Sequence, residues 1–224
     1  MFITFEGGEG CGKTSIINKL KGDLLKITNI PLIVARDPGG TTIANQIRTI
    51  LLSSDNKEMS KETELLLYSA SRAELVDKVI RPNLDNNIVL CDRFLDSTLV
   101  YQGYVRGFSQ ESIWVIHDEL AISLTPDITY ILDVDPEIGL KRSFSALKNS
   151  SINEQKWEEE TLDTHKKIRE GFLTLCKNYE SLGRFKIIDA NEPFDVVYDN
   201  IFEDIKEKLN GYNSNFRYMF GSNK

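Results

Sequence analysis

The 224-residue chain is poor in cysteine and histidine, with three of the first and two of the second. Cys11, Cys91 and Cys176 are an odd set without metal-ligand spacing. They indicate neither a disulfide framework nor a zinc site, and they fit a reduced, cytoplasmic setting. His117 and His165 stand apart, and each reads as a surface or packing residue rather than a ligand. No window approaches the roughly twenty apolar residues of a membrane span. The first residues lack the basic region and apolar stretch of a secretory leader, so no membrane association is expected. A basic excess is missing too: 27 Lys and Arg face 34 Asp and Glu, for a net charge of −7. That argues against a general nucleic-acid binder, although an enzyme for anionic nucleotides can be acidic if its arginines gather in the site. There is no repeat at solenoid spacing.

What the chain does have is a hydrophobic content of 41%, enough for one packed domain spanning residues 1–224. Its first fifteen residues are the most informative. Phe2-Ile3-Thr4-Phe5 reads as a buried strand. Gly7-Gly8-Glu9-Gly10-Cys11-Gly12-Lys13-Thr14 follows and fits the phosphate-binding pattern G-x-x-x-x-G-K-[ST]. Ser15 to Leu20 reads as a helix with Ile16, Ile17 and Leu20 on one face. Glycines let backbone N–H groups converge on phosphate oxygens, and the helix N-terminus adds partial positive charge. Lys13 can reach the β- and γ-phosphates, and Thr14 offers a hydroxyl to magnesium. Cys11 reads as a small residue within the loop.

Further apolar, β-branched runs at Pro31–Ala35, Ile88–Cys91, Ile128–Leu132 and Phe185–Ile188 alternate with amphipathic segments. About five strands with helices between them predict an α/β fold with a parallel sheet, its strands buried on both faces. Ala146 to Glu160 is polar and aperiodic, which predicts a mobile flap between two helices. The stretch from Gly211 to Lys224 is expected to fray. The alternation of Phe216, Tyr218 and Phe220 leaves open a weak strand or, less favoured, an oligomer contact.

A phosphate loop alone says only that a nucleotide binds. Asp92-Arg93 follows the Ile88 strand, where a carboxylate can hold hydrated magnesium and a guanidinium can clamp phosphate. Arg36-Asp37-Pro38-Gly39-Gly40-Thr41 makes a rigid, close-approach turn with Thr41 as a helix cap. Tyr68 and Arg72 lie four apart on a helical pattern, able to stack on a base and read its edge, or simply to belong to the core. Thr98 and Tyr101, followed by Gln102, share a helical face and can line a pocket or cap and pack.

Together these segments resemble the bacterial type of thymidylate kinase. The likeness runs through FEGGEGCGKTS, RDPGGT, LLLYSASRAELV, CDRF-DST-YQG, ILDVDP with GLKR, and the final IDA. The resemblance implies a five-stranded P-loop nucleoside-monophosphate kinase fold with helices on both faces, a mobile lid over about residues 142–160, and a homodimer. It implies transfer of the γ-phosphoryl group of ATP to dTMP, giving dTDP and ADP, with Mg²⁺. Carried over by position, Gly7 to Ser15 hold the ATP phosphates, and Thr14 and Asp92 serve the metal. Glu9 meets the acceptor sugar, Pro38 lines its pocket, and Arg48 and Arg93 bind its phosphate. Tyr68 stacks on thymine, while Arg72 reads it with Thr98 and Gln102 nearby. Tyr101 crowds the 2′ position and favours deoxyribose.

The chain departs from the family pattern at Tyr68, where phenylalanine is usual, and at Asp37, where glutamate is usual. It has Gly10 where the eukaryotic type has arginine. Between residues 142 and 158 its cations are Arg142, Lys148 and Lys156. Lys156, anchored by Trp157, is expected to reach the transferred phosphoryl group, and Lys13, Arg93 and Arg142 complete the catalytic set. The acceptor phosphate is the nucleophile and is already anionic, so no strong general base is expected. Another small phosphate-loop kinase, such as a deoxynucleoside kinase, is the nearest alternative. A small GTPase is disfavoured because there is no Asn-Lys-x-Asp motif.

Overall fold

The computed structural model describes residues 1–120, 122–147 and 156–220. Its centre is a five-stranded, wholly parallel sheet in the order β2-β3-β1-β4-β5. The strands are β1 (Phe2–Glu6), β2 (Leu32–Arg36), β3 (Ile88–Asp92), β4 (Ile128–Asp133) and β5 (Phe185–Asp189). The α/β reading is borne out, with strand limits within a residue of those expected. Asp92 proves to be the last residue of its strand.

The helices are α1 (Lys13–Ile27), α2 (Thr42–Leu52), α3 (Lys61–Leu75), α4 (Leu95–Thr98), α5 (Gln110–Glu119), α6 (Pro136–Leu147), α7 (Leu162–Asn178) and α8 (Phe194–Phe220). Two of them widen into π-helical turns: α3 continues as Val76–Ile80 and α4 as Leu99–Val105. Thr41 caps α2 as expected, its Oγ1 accepting from Ala44 N–H at 3.1 Å. Helix α8 takes in Phe216, Tyr218 and Phe220, so their alternation does not mark a strand.

Side chains of β1 alternate between two cores, as a period of two requires. Phe2 joins the core built with α3, α5, α7 and the second π-helical turn. Ile3 and Phe5 join the core under α1 and α8. Burying both faces of β1 fixes where its carboxyl end points. That end meets Asp92 through the Phe5–Asp92 pairing, and Arg36 of β2 pairs with Asp92 from the other side. In open parallel sheets the crevice beyond such strand ends is where ligands bind. No helix among the described residues is long and apolar enough to cross a membrane.

Candidate active site

The loop between β1 and α1 sits at that crevice. Lys13 folds back over it, and Nζ donates to Gly7 O at 3.0 Å and Gly8 O at 2.9 Å and lies 3.2 Å from Cys11 Sγ. Its side chain is buried, so the ammonium is already aimed into the loop. Gly10 has φ +67°, and a Cβ there would stand 1.9 Å from Gly139 O of α6. Helix α6 therefore closes the position at which the eukaryotic type carries an arginine.

Arg93 is the one non-glycine residue among those described with a positive φ, 64°, a conformation that costs about 1 kcal/mol or more. The first strand holds it there. Arg93 N–H donates to Phe5 O at 2.9 Å, and the next amide, Phe94 N–H, donates to Glu6 Oε1 at 2.7 Å. Its guanidinium then donates to Gly7 O at 2.9 Å, Ser97 Oγ at 3.2 Å and Glu9 Oε1 at 3.0 Å. Tyr101 OH donates to the same Glu9 oxygen at 2.7 Å. His165 Nδ1 lies 3.4 Å from Glu9 Oε2. Burial pushes the Glu9 carboxyl up, but His165, Arg93, Lys13 and Tyr101 outweigh it and hold the pKa at about 2. Glu9 is thus an anion ringed by donors, suited to accept from a sugar hydroxyl. Glu6, buried beside Asp96, is pushed the other way, to about 8.

Arg72 is almost wholly buried. Nε donates to Asp37 Oδ2 at 2.6 Å, and Nη2 donates to Thr98 Oγ1 at 2.8 Å and Phe94 O at 3.1 Å. Nη1 meets His117 Nε2 at 2.7 Å. Four of its five N–H groups are thereby engaged, and the fifth is left for a ligand edge. Burial and the nearby Arg72 charge lower the His117 pKa to about 4, so the imidazole is neutral. It accepts from Arg72, and its Nδ1 donates to Ile113 O at 2.7 Å. His117 and His165, read from sequence as bystanders, each touch a side chain of the site.

Every residue expected in the acceptor site faces one cavity of about 260 Å³. Glu9, Pro38, Arg48 and Arg93 line it together with Tyr68, Arg72, Thr98, Tyr101 and Gln102. Arg48 is steered by a hydrogen bond from Nη1 to Pro38 O at 3.0 Å. A second cavity, of about 440 Å³, lies across the loop against Gly10 to Ser15, Arg142 and Ala190. Lys13 and Thr14 line both cavities. Thr14 Oγ1 donates to Asp92 Oδ2 at 2.7 Å, which brings together at the junction two hard oxygens of the kind that could hold a metal ion.

Lys156, expected to reach the transferred phosphoryl group, is placed elsewhere in this structure. Its Nζ bonds Glu64 Oε2 at 2.6 Å in a buried pair and faces neither cavity. The cause is Glu64, which looks in sequence like an ordinary acid in the first turn of a helix but is buried and draws Lys156, Gln102 and Arg106 to itself. Arg142 lines the second cavity with Nη1 on Ala190 O at 2.7 Å. Lys148 falls outside the described residues. Trp157, expected only to anchor the flap, lines the acceptor cavity itself.

A family model described as thymidylate kinase matches residues 5–201. A thymidylate kinase of Acholeplasma laidlawii is 39% identical over 209 residues, covering 93% of this chain and all of the relative. One from Geotalea uraniireducens is 45% identical over 193 residues, covering 85% of this chain and 89% of the relative. The crystal structure of thymidylate kinase from Ehrlichia chaffeensis superposes with a TM-score of 0.72 at 30% identity, over 92% of this chain and 98% of that one.

Proposed function

This chain belongs to the thymidylate kinase family, and on that premise we propose that it transfers the γ-phosphoryl group of ATP to dTMP, giving dTDP and ADP. The observation that carries this reading is the pair of cavities meeting at Lys13 and Thr14. One nucleotide on each side of the loop would bring donor and acceptor phosphates to the same lysine. The acceptor cavity carries the chemistry of a nucleoside monophosphate. Arg48 and Arg93 supply positive charge for its phosphate, and Glu9 supplies an acceptor for a sugar hydroxyl. Tyr68 provides an aromatic face, and Arg72 one unused N–H for a carbonyl at the base edge.

Positioning and charge neutralisation do the work. Lys13, preset by Gly7 O and Gly8 O, trades these carbonyls for phosphate oxygens. Arg93, fixed in an unusual backbone conformation, orients the acceptor phosphate without rearranging. Thr14 and Asp92 suit Mg²⁺, a hard cation that takes few protein ligands and keeps waters. Bound there, Mg²⁺ would supply charge neutralisation to the phosphates. The homodimer and the cytoplasmic setting belong to this proposal as well. Exposed Ile43 and Ile50 of α2 and Leu66 of α3 support a helix-to-helix contact, and three free cysteines support a reducing compartment.

Turnover with ATP should be measured against dTMP, dUMP, dCMP and thymidine. Phosphorylation of dTMP with the highest kcat/KM is expected. Preference for thymidine would instead make the enzyme a nucleoside kinase.

A further inference from the structure

Glu64, Tyr68 and Arg72 follow one another at four-residue intervals along α3 and so share a face. Arg72 and Tyr68 line the acceptor cavity, whereas Glu64 lies behind it. Two consecutive residues of the chain dock on this face. Lys156 Nζ meets Glu64 Oε2 at 2.6 Å, and Trp157 Nε1 donates to Tyr68 OH at 3.1 Å. Trp157 is 5% exposed. Its ring meets Tyr101 edge-on, centroids 4.7 Å apart. The Arg106 guanidinium lies 4.6 Å from the indole centroid. Arg106 in turn bonds Glu160 Oε1 at 2.9 Å and approaches Glu64 Oε1 at 3.4 Å.

Glu64 therefore holds Trp157 twice, through the residue before it and through the cation packed on its ring. Burial pushes the Glu64 carboxyl up, but Lys156, Gln102 and Arg106 outweigh that and lower its pKa, so it is an anion. Apolar residues would fill the space behind the cavity about as well, so stability alone is a weak reason for a buried ion pair. What the pair adds is a fixed position for the indole, which touches both rings expected to face the acceptor's base and sugar.

We propose that Glu64 and Lys156 are positioning residues that fix Trp157 as a wall of the acceptor cavity, so that acceptor binding depends on this ion pair. The proposal rests on the reading of that cavity as the dTMP site. The hydroxyl of Tyr68 is then functional, as the acceptor of the Trp157 N–H, and phenylalanine there would free the indole to tilt.

The test uses the full chain with Lys156→Met, Glu64→Gln, Tyr68→Phe and Trp157→Phe. Lys156→Met is expected to raise KM for dTMP roughly fivefold, the scale of one weakened aromatic contact. Its kcat and its KM for ATP should change by less than about twofold, and Lys156→Arg should restore the wild-type KM. Tyr68→Phe and Trp157→Phe should each raise KM for dTMP, and their double variant should be no worse than either single one. An unchanged KM for dTMP in a folded Lys156→Met protein overturns the proposal. So does a fall in kcat alone, which would return Lys156 to the phosphoryl step. A second readout needs no substrate: in a Trp114→Phe background, acrylamide should quench Trp157 fluorescence more strongly once Lys156→Met is added. Unchanged quenching refutes the clamp whichever acceptor the wild type uses. Enhanced quenching in a protein that does not phosphorylate dTMP would keep the clamp and reject dTMP as the substrate.

Discussion

His117 Nε2 accepts a hydrogen bond from the Arg72 guanidinium at 2.7 Å while its Nδ1 donates to Ile113 O, so the imidazole is locked in one neutral tautomer. Protonating it would place two cations in contact inside the protein. Its pKa is about 4 when folded against an ordinary 6.5. Below pH 6.5 the unfolded chain therefore binds the proton first, and stability falls until the pH reaches about 4. That interval corresponds to roughly 3 kcal/mol. Thermal unfolding followed from pH 7 to pH 4.5 should show this loss, and His117→Gln should flatten the slope. An equal slope in both proteins would place the acid sensitivity elsewhere.

Arg72→Ala should do more than weaken base recognition. It strips the counter-charge from Asp37, which burial already pushes toward the neutral form, and leaves Thr98 and Phe94 O without their donor. Breaking a buried pair in this way costs on the order of 3–5 kcal/mol. A combined Arg72→Met and Asp37→Asn variant should recover part of that stability but not dTMP affinity. Equal stability of Arg72→Ala and wild type in urea unfolding would contradict the burial argument.

Lys13→Met should lower kcat by about a hundredfold or more, since a preorganised donor to transition-state charge is worth on the order of 3 kcal/mol. The side chain is buried rather than solvent-facing, so methionine is the suitable replacement: it fills the space and removes the charge. Gly8 O then loses this donor and Gly7 O keeps only Arg93 Nη1, so a small drop in melting temperature should accompany the kinetic loss. Near-normal kcat in the folded variant would remove this loop from the reaction.

Tyr101 offers two separable features. Its hydroxyl holds Glu9, and its ring packs on Trp157 and Phe172. Tyr101→Phe should keep the preference for dTMP over ribothymidine monophosphate, and Tyr101→Ala should reduce it by roughly tenfold or more. A ratio of kcat/KM values is the right measure, because the folded fraction cancels. The reverse order of effects would make Glu9, not the ring, the sugar selector.

The parts of the site legible in the sequence are those in which motif and backbone geometry coincide. A glycine-rich turn after a buried strand has few other uses, and Asp92-Arg93 ends a strand next to it. The side chains lining the cavity followed from helical spacing on α3 and on the turns after Thr98. What stayed hidden are contacts made only by tertiary approach. Glu64 and Lys156 are 92 residues apart, and Arg72 and His117 are 45 apart. Nothing local distinguishes Glu64 from a solvated acid at a helix start, and so Lys156 read as a free cation when it is a paired one. Sequence position fixes which residue stands beside Trp157, but the burial of its partner decides where the side chain points.

Gly10 gives the sharpest test of how the loop is held. The residue has φ +67°, and an added Cβ would meet Gly139 O at 1.9 Å, Gly139 C at 2.7 Å and Ser143 N at 3.0 Å. All three are backbone atoms of α6, so no side chain can swing aside. Alanine at Gly10 must push the loop away from α6, in addition to a strain of about 1 kcal/mol for the positive φ. The convergence of the loop amides on the proposed donor site is then lost. Gly10→Ala should therefore cut kcat/KM for ATP by about tenfold or more, with a smaller change in KM for dTMP, since a shift of about 1 Å can cost a hundredfold. The contact is reciprocal: a Cβ on Gly139 would lie 2.5 Å from Glu9 O. Gly139→Ala, outside the phosphate loop, should thus reproduce the defect. If it leaves ATP kinetics intact while Gly10→Ala does not, the strain at Gly10 alone, and not its contact with α6, sets the shape of the loop.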